Sequence, residues 1–370
     1  MLELAKRLTG HFEVTVLAPH APGASLQESM EGVSVHRFRY CVSCCEVLAY
    51  NGGIMGNLAK NRWRFLLVPL FLFSEGYSLV RLTRKLRPDV IHAHWLIPQG
   101  MVAVCAGMLC RGRRPALVCT AHGSDLLGLP GGLFAWLKAW TIARLGRLAV
   151  VSEALRARAA ELAPQHSAEV LPMGVDLSAR FTPPAASART HHEILCVGRL
   201  VEGKGVRHLI AAMPQVLMRH PDARLTIAGD GPDRQQLEAC AETLGLAGKV
   251  AFPGALENEA LPSLYGRAAV FVLPSLGEGL GLTAIEALGC ECPVVASDLA
   301  AVREVVIDGV TGLLCRPGDP GGLAAKIIWL LDHPEQRAAM AHAGRQHVAE
   351  KYGWETVARN YRQLFDAMIS

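Results

Sequence analysis

Short apolar runs of β character alternate with helical stretches along the whole of this 370-residue chain, and the alternation restarts once, part-way along. The first series is "VTVLAP" (14–19), "VSVHRF" (33–38), "DVIHAH" (89–94), "ALVCTAH" (116–122), "RLAVVS" (147–152) and "AEVLPMG" (168–174). The stretch "RFTPPAASARTHH" (180–192) then has prolines, small residues and no periodicity, and reads as a linker. A second series follows: "EILCVGRL" (193–200), "RLTIAGDG" (224–231), "VAFPGAL" (250–256), "AVFVLPS" (269–275), "CPVVAS" (292–297) and "TGLLCRP" (311–317). Helical stretches such as Arg207–Arg219 and Asp233–Thr243 separate these runs, and an amphipathic helix spans 354–369. Strands alternating with helices predict doubly wound α/β structure, here as two domains. In such sheets ligands bind beyond the carboxyl ends of the strands, where helix N-termini point. The motifs at those ends therefore carry the functional information.

The composition permits a large packed core, because 51% of the residues are hydrophobic and only 19% charged. Eleven cysteines are scattered, with no secretory signal before them, which suggests free thiols in a reducing cytosol. Cys41, Cys44 and Cys45 form a C-x-x-C-C cluster, but no second pair supplies the remaining ligands of a metal site. Charge is uneven. Up to Arg180 there are 20 Lys+Arg against 12 Asp+Glu, net +8; beyond it 17 against 21, net −4. A basic first half suggests an anionic partner, such as a membrane surface or a polyanionic substrate. The segment "KNRWRFLLVPLFLF" (60–73), followed by Arg81, Arg84, Lys85 and Arg87, sharpens that idea. Its apolar run Phe65–Phe73 is far short of the roughly 20 residues needed to cross a bilayer. Basic flanks, a tryptophan and an apolar face fit an interfacial helix; a buried core helix accounts for the apolar part equally well.

"GRLVEGKG" (198–205) follows a strand and precedes a helix. It matches G-x-x-x-x-G-K but places Gly205 where a P-loop needs a metal-coordinating hydroxyl, which argues against an NTPase. Phosphate chemistry still stands: Arg199 can grip two oxygens, Lys204 supplies a point charge, and helix amides lie nearby. The bland alternative is a glycine-rich turn with two solvated cations. In "AGDGPDRQQLE" (228–238), Asp230 is expected to cap the following helix, with Pro232 in its first turn. "TAHGSDLL" (120–127) closes a strand with His122, either facing a ligand or packed beside a helix capped by Ser124 or Asp125; "HAHW" (92–95) has the same ambiguity. Neither H-E-x-x-H nor D-x-D occurs, so no divalent metal is expected.

"PSLGEGLGLTAIEALGCECPVVAS" (274–297) sets Glu278 and Glu286 eight positions apart. "SLGE" fits a capping box, with Glu278 reaching back to Ser275. If the helix instead starts near Gly281, Glu286 lies about 7–8 Å further along its axis. The amides of Leu280–Thr283 then face a ligand's phosphate. A sugar, a diphosphate and a ribose laid over that helix start would suit the spacing of the two carboxylates.

Together these residues resemble glycosyltransferase family 4, the retaining nucleotide-sugar transferases of the GT-B fold. The resemblance runs through "VGRLVEGKGVRHLIAA", "IAGDGP", "FPGAL", "VLPSLGEGLGLTAIEAL", "PVVAS", "EVVIDGVTGLLCRPGDP" and "YGWETVA", and more loosely through "FEVTVLAP", "RPDVIHAHW", "AHGSD", "VVSEALRA" and "LPMGVD". It implies two Rossmann-like domains facing a cleft: an acceptor-side domain over 1–182, a nucleotide-sugar-binding domain over 183–350, and a final helix, 351–370, returning to the first domain. It implies that Arg199 and Lys204 neutralise the donor diphosphate and that Glu278 contacts the donor sugar's hydroxyls. Gly254 and the backbone of Gly279, Leu280, Gly281, Leu282 and Thr283 would line the donor, Glu286 would take the ribose hydroxyls, and His122 would stand near the sugar's reactive face. No cofactor and no metal are implied, the nucleotide diphosphate sugar being a substrate. The acceptor would be lipid-linked or a polysaccharide, and the protein cytoplasmic or peripheral on the inner face of the membrane, with no nucleic-acid partner.

Three features depart from the family pattern. The chain begins at "MLELAKRL", inside what is usually the first helix, so the first strand and its glycine-rich loop are expected to be missing. Glu291 replaces a usual glycine, and Ala300 and Ala301 replace a common glycine pair. The leading expectation is a retaining glycosyltransferase. The alternatives are a nucleotide-sugar epimerase of the same fold and a non-catalytic remnant that binds nucleotide.

Overall fold

The structure, a computed structural model, describes residues 1–50, 53–110, 112, 114–129, 131–183 and 189–369. The expected linker 180–192 is therefore described only at its two ends, 184–188 lying outside the described residues, as does the side chain of Lys60. The chain forms two compact units. One comprises Met1–Val151, Arg156–Leu171 and Ala358–Ser370; the other comprises Ser152–Leu155 and Pro172–Val357.

The first unit contains α1 (Leu2–Leu8), β1 (Thr15–Pro19), β2 (Gln27–Met30), β3 (Val33–Phe38), α2 (Gly53–Lys60), α3 (Leu67–Leu86), β4 (Val90–His94), α4 (Met101–Leu109), β5 (Ala116–Ala121), α5 (Ser124–Leu127), α6 (Gly132–Ile142), β6 (Arg147–Val150), most of α7 (Glu153–Leu162) and β7 (Ala168–Val170). Its strands form two sheets, β1-β3-β2 and β4-β5-β6-β7. Pairing is parallel throughout except for β2, which lies antiparallel on β3. The hydrophobic pattern does not announce β2: "QESM" is polar and mostly exposed, and it is held at the sheet edge by its pairing with β3. The apolar segment after residue 60 is longer as structure than as a hydrophobic run. A 3₁₀ turn over Arg62–Leu66 leads directly into the 20-residue α3, which anchors itself through Leu67 and Phe71. Phe71 sits edge-on against both Phe38 and Tyr40, with Leu48 and Leu58 completing a small core.

The second unit is built on one six-stranded, all-parallel sheet: β8 (Glu193–Val197), β9 (Arg224–Ala228), β10 (Val250–Gly254), β11 (Val270–Leu273), β12 (Val294–Ser297) and β13 (Leu313–Cys315). The spatial order is β10-β9-β8-β11-β12-β13, so the winding reverses between β8 and β11. Strands buried on both faces must be apolar throughout, and every residue of β11 and β12 is buried. The intervening helices are α8 (Val206–Arg219), α9 (Arg234–Thr243), α10 (Leu261–Arg267), α11 (Leu282–Gly289), α12 (Pro320–Asp332) and α13 (Pro334–Tyr352). Both units are thus doubly wound α/β, the class predicted from the strand–helix alternation. The last helix, α14 (Trp354–Ile369), starts in the second unit and ends in the first. There the Tyr361 hydroxyl lies 3.0 Å from Thr120 Oγ1 and Phe365 packs edge-on against Phe12.

Candidate active site

A reversal of winding direction leaves a crevice beyond the carboxyl ends of the two strands that flank it. In the second unit those strands are β8 and β11, and the segments that follow them are "GRLVEGKG" and "PSLGEGLG". Glycine permits their close approach. Gly205, at φ +63°, caps the start of α8, and a β-carbon there would fall 2.0 Å from the Pro274 carbonyl oxygen. The Leu276 amide donates to the Gly203 carbonyl at 2.8 Å and fastens the two loops together. The turn after β9 joins them from the other side: a β-carbon on Gly229 would meet the Gly198 carbonyl oxygen at 1.8 Å.

This packing brings together charges 74 residues apart in sequence. Lys204 Nζ donates to Glu278 Oε1 at 2.5 Å, and the buried Ser275 hydroxyl donates to the same oxygen at 2.8 Å. The capping-box reading of "SLGE" therefore does not hold. The helix α11 starts at Leu282 behind Gly281, whose φ of +91° makes the turn, and Glu278 lies outside it, held by a lysine and a hydroxyl. At the start of α11 the Leu282 and Thr283 amides have no acceptor among the described residues; the first amide bonded back is that of Ala284, to Gly281. Leu280 is buried, while Gly279 and Thr283 are half-exposed. Glu286, one turn into α11, accepts from the Tyr265 hydroxyl at 2.8 Å. Burial pushes its carboxyl up to about 7, against the pull of that hydroxyl and of Arg180. Arg199 is exposed in the loop after β8. Gly254 closes β10 at φ +87°, its carbonyl accepting from Gly229 at 2.8 Å.

The Asp230 expectation is corrected. The helix α9 begins after Asp233 without a side-chain cap, and Asp230 Oδ1 instead takes the amide of the adjacent Gly231. Pro232 precedes the helix, because the "GDGP" turn folds down onto Leu200: the Leu200 amide donates to the Asp230 carbonyl at 3.0 Å.

His122 belongs to the first unit, just beyond β5. No side chain caps the short α5; Asp125 points backwards, taking the His122 and Gly123 amides on Oδ1 and the Leu96 amide on Oδ2. His122 Nε2 lies 3.1 Å from His94 Nδ1, and His94 in turn packs against His92, with ring centres 4.2 Å apart. His92 Nε2 is 2.7 Å from Thr120 Oγ1, which reaches Tyr361 of α14. Burial lowers all three imidazoles, His92 to about 3 and His122 to about 4, so each is neutral near pH 7. The loop after His122 is pinned from α6: the buried Lys138 donates to the carbonyls of Leu126 (3.0 Å) and Gly128 (2.5 Å).

The glycine departures resolve into two kinds. Glu291 is held at φ +52°, the left-handed region that glycine enters without strain, and its carboxylate meets His342 at 3.2 Å. Ala301 lies at φ −69°, ψ −30°, where alanine is at ease.

Comparison with known proteins matches residues 1–179 to the model of Glycosyltransferase Family 4 and residues 182–347 to that of the glycosyl transferases group 1. A glycogen synthase of Mycobacterium tuberculosis is 34% identical over 307 residues, covering 80% of this chain and 73% of its own length. The chain belongs to the GT-B glycosyltransferases of family 4. A GDP-mannose-dependent alpha-(1-6)-phosphatidylinositol monomannoside mannosyltransferase of Mycolicibacterium smegmatis is 31% identical, over 83% of this chain and 85% of that one. Among solved structures, the sucrose-phosphate synthase of Thermosynechococcus elongatus superposes with a TM-score of 0.80 at 24% identity, over 99% of this chain and 92% of that chain. HepE of Anabaena, solved with UDP and glucose, gives 0.77 at 18% identity, over 99% and 95%. These two show the shared fold.

Within this glycosyltransferase the structure adds residues that the motifs did not single out. Tyr265 and Lys138 carry no signal in the sequence, because each acts through a partner well removed along the chain, whereas Ser275 does meet Glu278, but through side chains alone and outside any helix. A buried tyrosine opposite an acidic helix position becomes visible only once α10 and α11 are packed.

Proposed function

We propose that this glycosyltransferase moves a sugar, with retention of anomeric configuration and without a metal ion, from a nucleoside diphosphate sugar to a lipid-linked or polysaccharide acceptor. The observation that carries the reading is the Lys204–Glu278 pair at the winding reversal, beside the open amides of α11 and one turn from Glu286. A donor lying there exchanges that pair for better partners. Lys204 and Arg199 turn to the diphosphate, Glu278 accepts from hydroxyls of the sugar, and Glu286 accepts from those of the ribose. The backbone of residues 279–283 and Gly254 lines the donor, and His122, neutral, with its backbone amide held by Asp125 and its ring against His94, serves the reacting face of the sugar. As the glycosidic bond breaks, the pair of electrons goes to the diphosphate oxygen. Lys204, Arg199 and the helix amides stabilise that charge. The acceptor's oxygen bonds to the anomeric carbon on the face from which the diphosphate leaves and gives its proton to the departing oxygen, so configuration is retained with no covalent intermediate on the protein.

The test is a donor panel that includes UDP-glucose and GDP-mannose, read as ligand-induced thermal shift and then as nucleotide release with glycan and lipid acceptors, with and without EDTA. Lys204→Ala and Glu278→Gln are expected to lose transfer while keeping the wild-type unfolding temperature. Full activity in both variants would overturn the assignment, and a sugar epimer formed without acceptor would replace transfer by epimerisation.

A further inference from the structure

One face of the α3 region is left exposed by the described residues of its unit. Leu66, Leu70, Phe73 and Tyr77 recur at intervals of four, three and four residues, so they line a single stripe along the helix. All four are exposed, Leu66 to 75% and Phe73 to 74%, and Trp63 and Phe65 extend the apolar surface at the preceding turn. At 100° per residue the same face continues into Arg81 and Arg84, both exposed, with exposed Lys85 beside them and exposed Arg62 at the opposite end. The helix's one carboxylate, Glu75, is turned inward: its Oε2 is buried without a partner among the described residues, and burial pushes it up to about 7. The outward face is therefore apolar in the middle and cationic at both ends.

The segment Arg62–Leu86 is long and apolar enough to cross a membrane by length and composition alone. Its opposite side excludes that arrangement, because Leu67 and Phe71 are locked into the core with Phe38 and Tyr40. A second copy of the chain fits poorly as the covering partner. Paired in parallel, the stripe would set Arg84 against Arg84; paired antiparallel, it would set Arg84 against Arg62. A surface that is negative at its boundary and apolar beneath satisfies both parts at once.

We infer that this stripe is a membrane-docking surface, on which the helix lies flat in the headgroup region of an anionic lipid leaflet, with Leu66, Leu70, Phe73 and Tyr77 inserted and Arg81, Arg84 and Lys85 on lipid phosphates. It identifies the surface through which a lipid-linked acceptor would be met, and so deepens the acceptor reading above; its test requires neither donor nor acceptor. The intact protein is sedimented with vesicles of phosphatidylcholine alone and of phosphatidylcholine with phosphatidylglycerol. Binding is expected on the anionic vesicles, weakened by salt. The double variant Leu66→Glu, Phe73→Glu, both at exposed sites, is expected to keep its unfolding temperature and nucleotide-sugar binding and to lose vesicle binding by about tenfold or more. Arg81→Gln with Arg84→Gln is expected to remove the preference for anionic vesicles. Undiminished vesicle binding by the Glu double variant overturns the inference. So does a concentration-dependent dimer that the same variant abolishes while wild type leaves the vesicles unbound. Either result leaves the donor-site reading standing.

Discussion

Glu286 is the position at which stability and the proposed function pull in opposite directions. Its carboxyl is raised from 4.5 to about 7, first by burial, while the Tyr265 hydroxyl at 2.8 Å partly offsets the rise. A folded-state value above the unfolded one means that the folded protein holds the proton more tightly. Stability is then full below pH 4.5, falls as pH rises through about 7, and is level above that. At 1.36 kcal/mol per pH unit the rise from 4.5 to about 7 costs the folded state about 3 kcal/mol at pH 8. Glu286→Gln removes the titration while keeping an oxygen for Tyr265 to donate to. Urea unfolding of both proteins from pH 4.5 to pH 8 is expected to show near-equal stability at the acid end and the variant ahead by about 3 kcal/mol at the alkaline end. Glu75, raised in the same way, is common to both proteins and cancels. The variant is expected to bind donor more weakly, by about tenfold, having lost the anionic acceptor proposed for the ribose hydroxyls. A stability difference that does not change with pH would refute the argument.

Other substitutions test the packing around the site. Glu291→Gly relieves a left-handed backbone at the loss of one half-exposed ion pair and is expected to raise stability by about 0.5–1 kcal/mol in urea titration. Gly205→Ala drives a β-carbon into the Pro274 carbonyl and separates the two loops; it is expected to cost about 2 kcal/mol or more in unfolding and to weaken donor binding. Lys138→Met strips the buried Leu126 carbonyl and the half-buried Gly128 carbonyl of their donor and is expected to cost about 1–3 kcal/mol, with a fall in kcat larger than any change in donor KM, because the loop after His122 loosens.

Much of the fold was legible in advance because buried parallel strands must be apolar and the turns between them must contain glycine or proline. The run "VSVHRF" became β3 residue for residue, and the amphipathic 354–369 became α14. What escaped was structure that lacked its own hydrophobic signal, such as the polar edge strand β2, or structure in which a polar group had competing partners. Asp230 had the composition of a helix cap, but the turn containing it folded onto Leu200 and gave its carboxylate to Gly231. Glu278 had the spacing of a capping box, but Lys204 offered a charged donor in its place.

The sequence by itself determined the alternation of strand and helix, the place where the alternation restarts, and the residue types at the strand ends. These are local properties, carried by periodicity and by glycine. Only the tertiary structure decided which strand ends are neighbours. Placing β8 beside β11 joins Lys204 to Glu278 across 74 residues, and packing α10 on α11 buries Glu286 against Tyr265 and moves its carboxyl to about 7. Charge, burial and hydrogen bonding act through distance in space, and a linear pattern specifies that distance only along the chain.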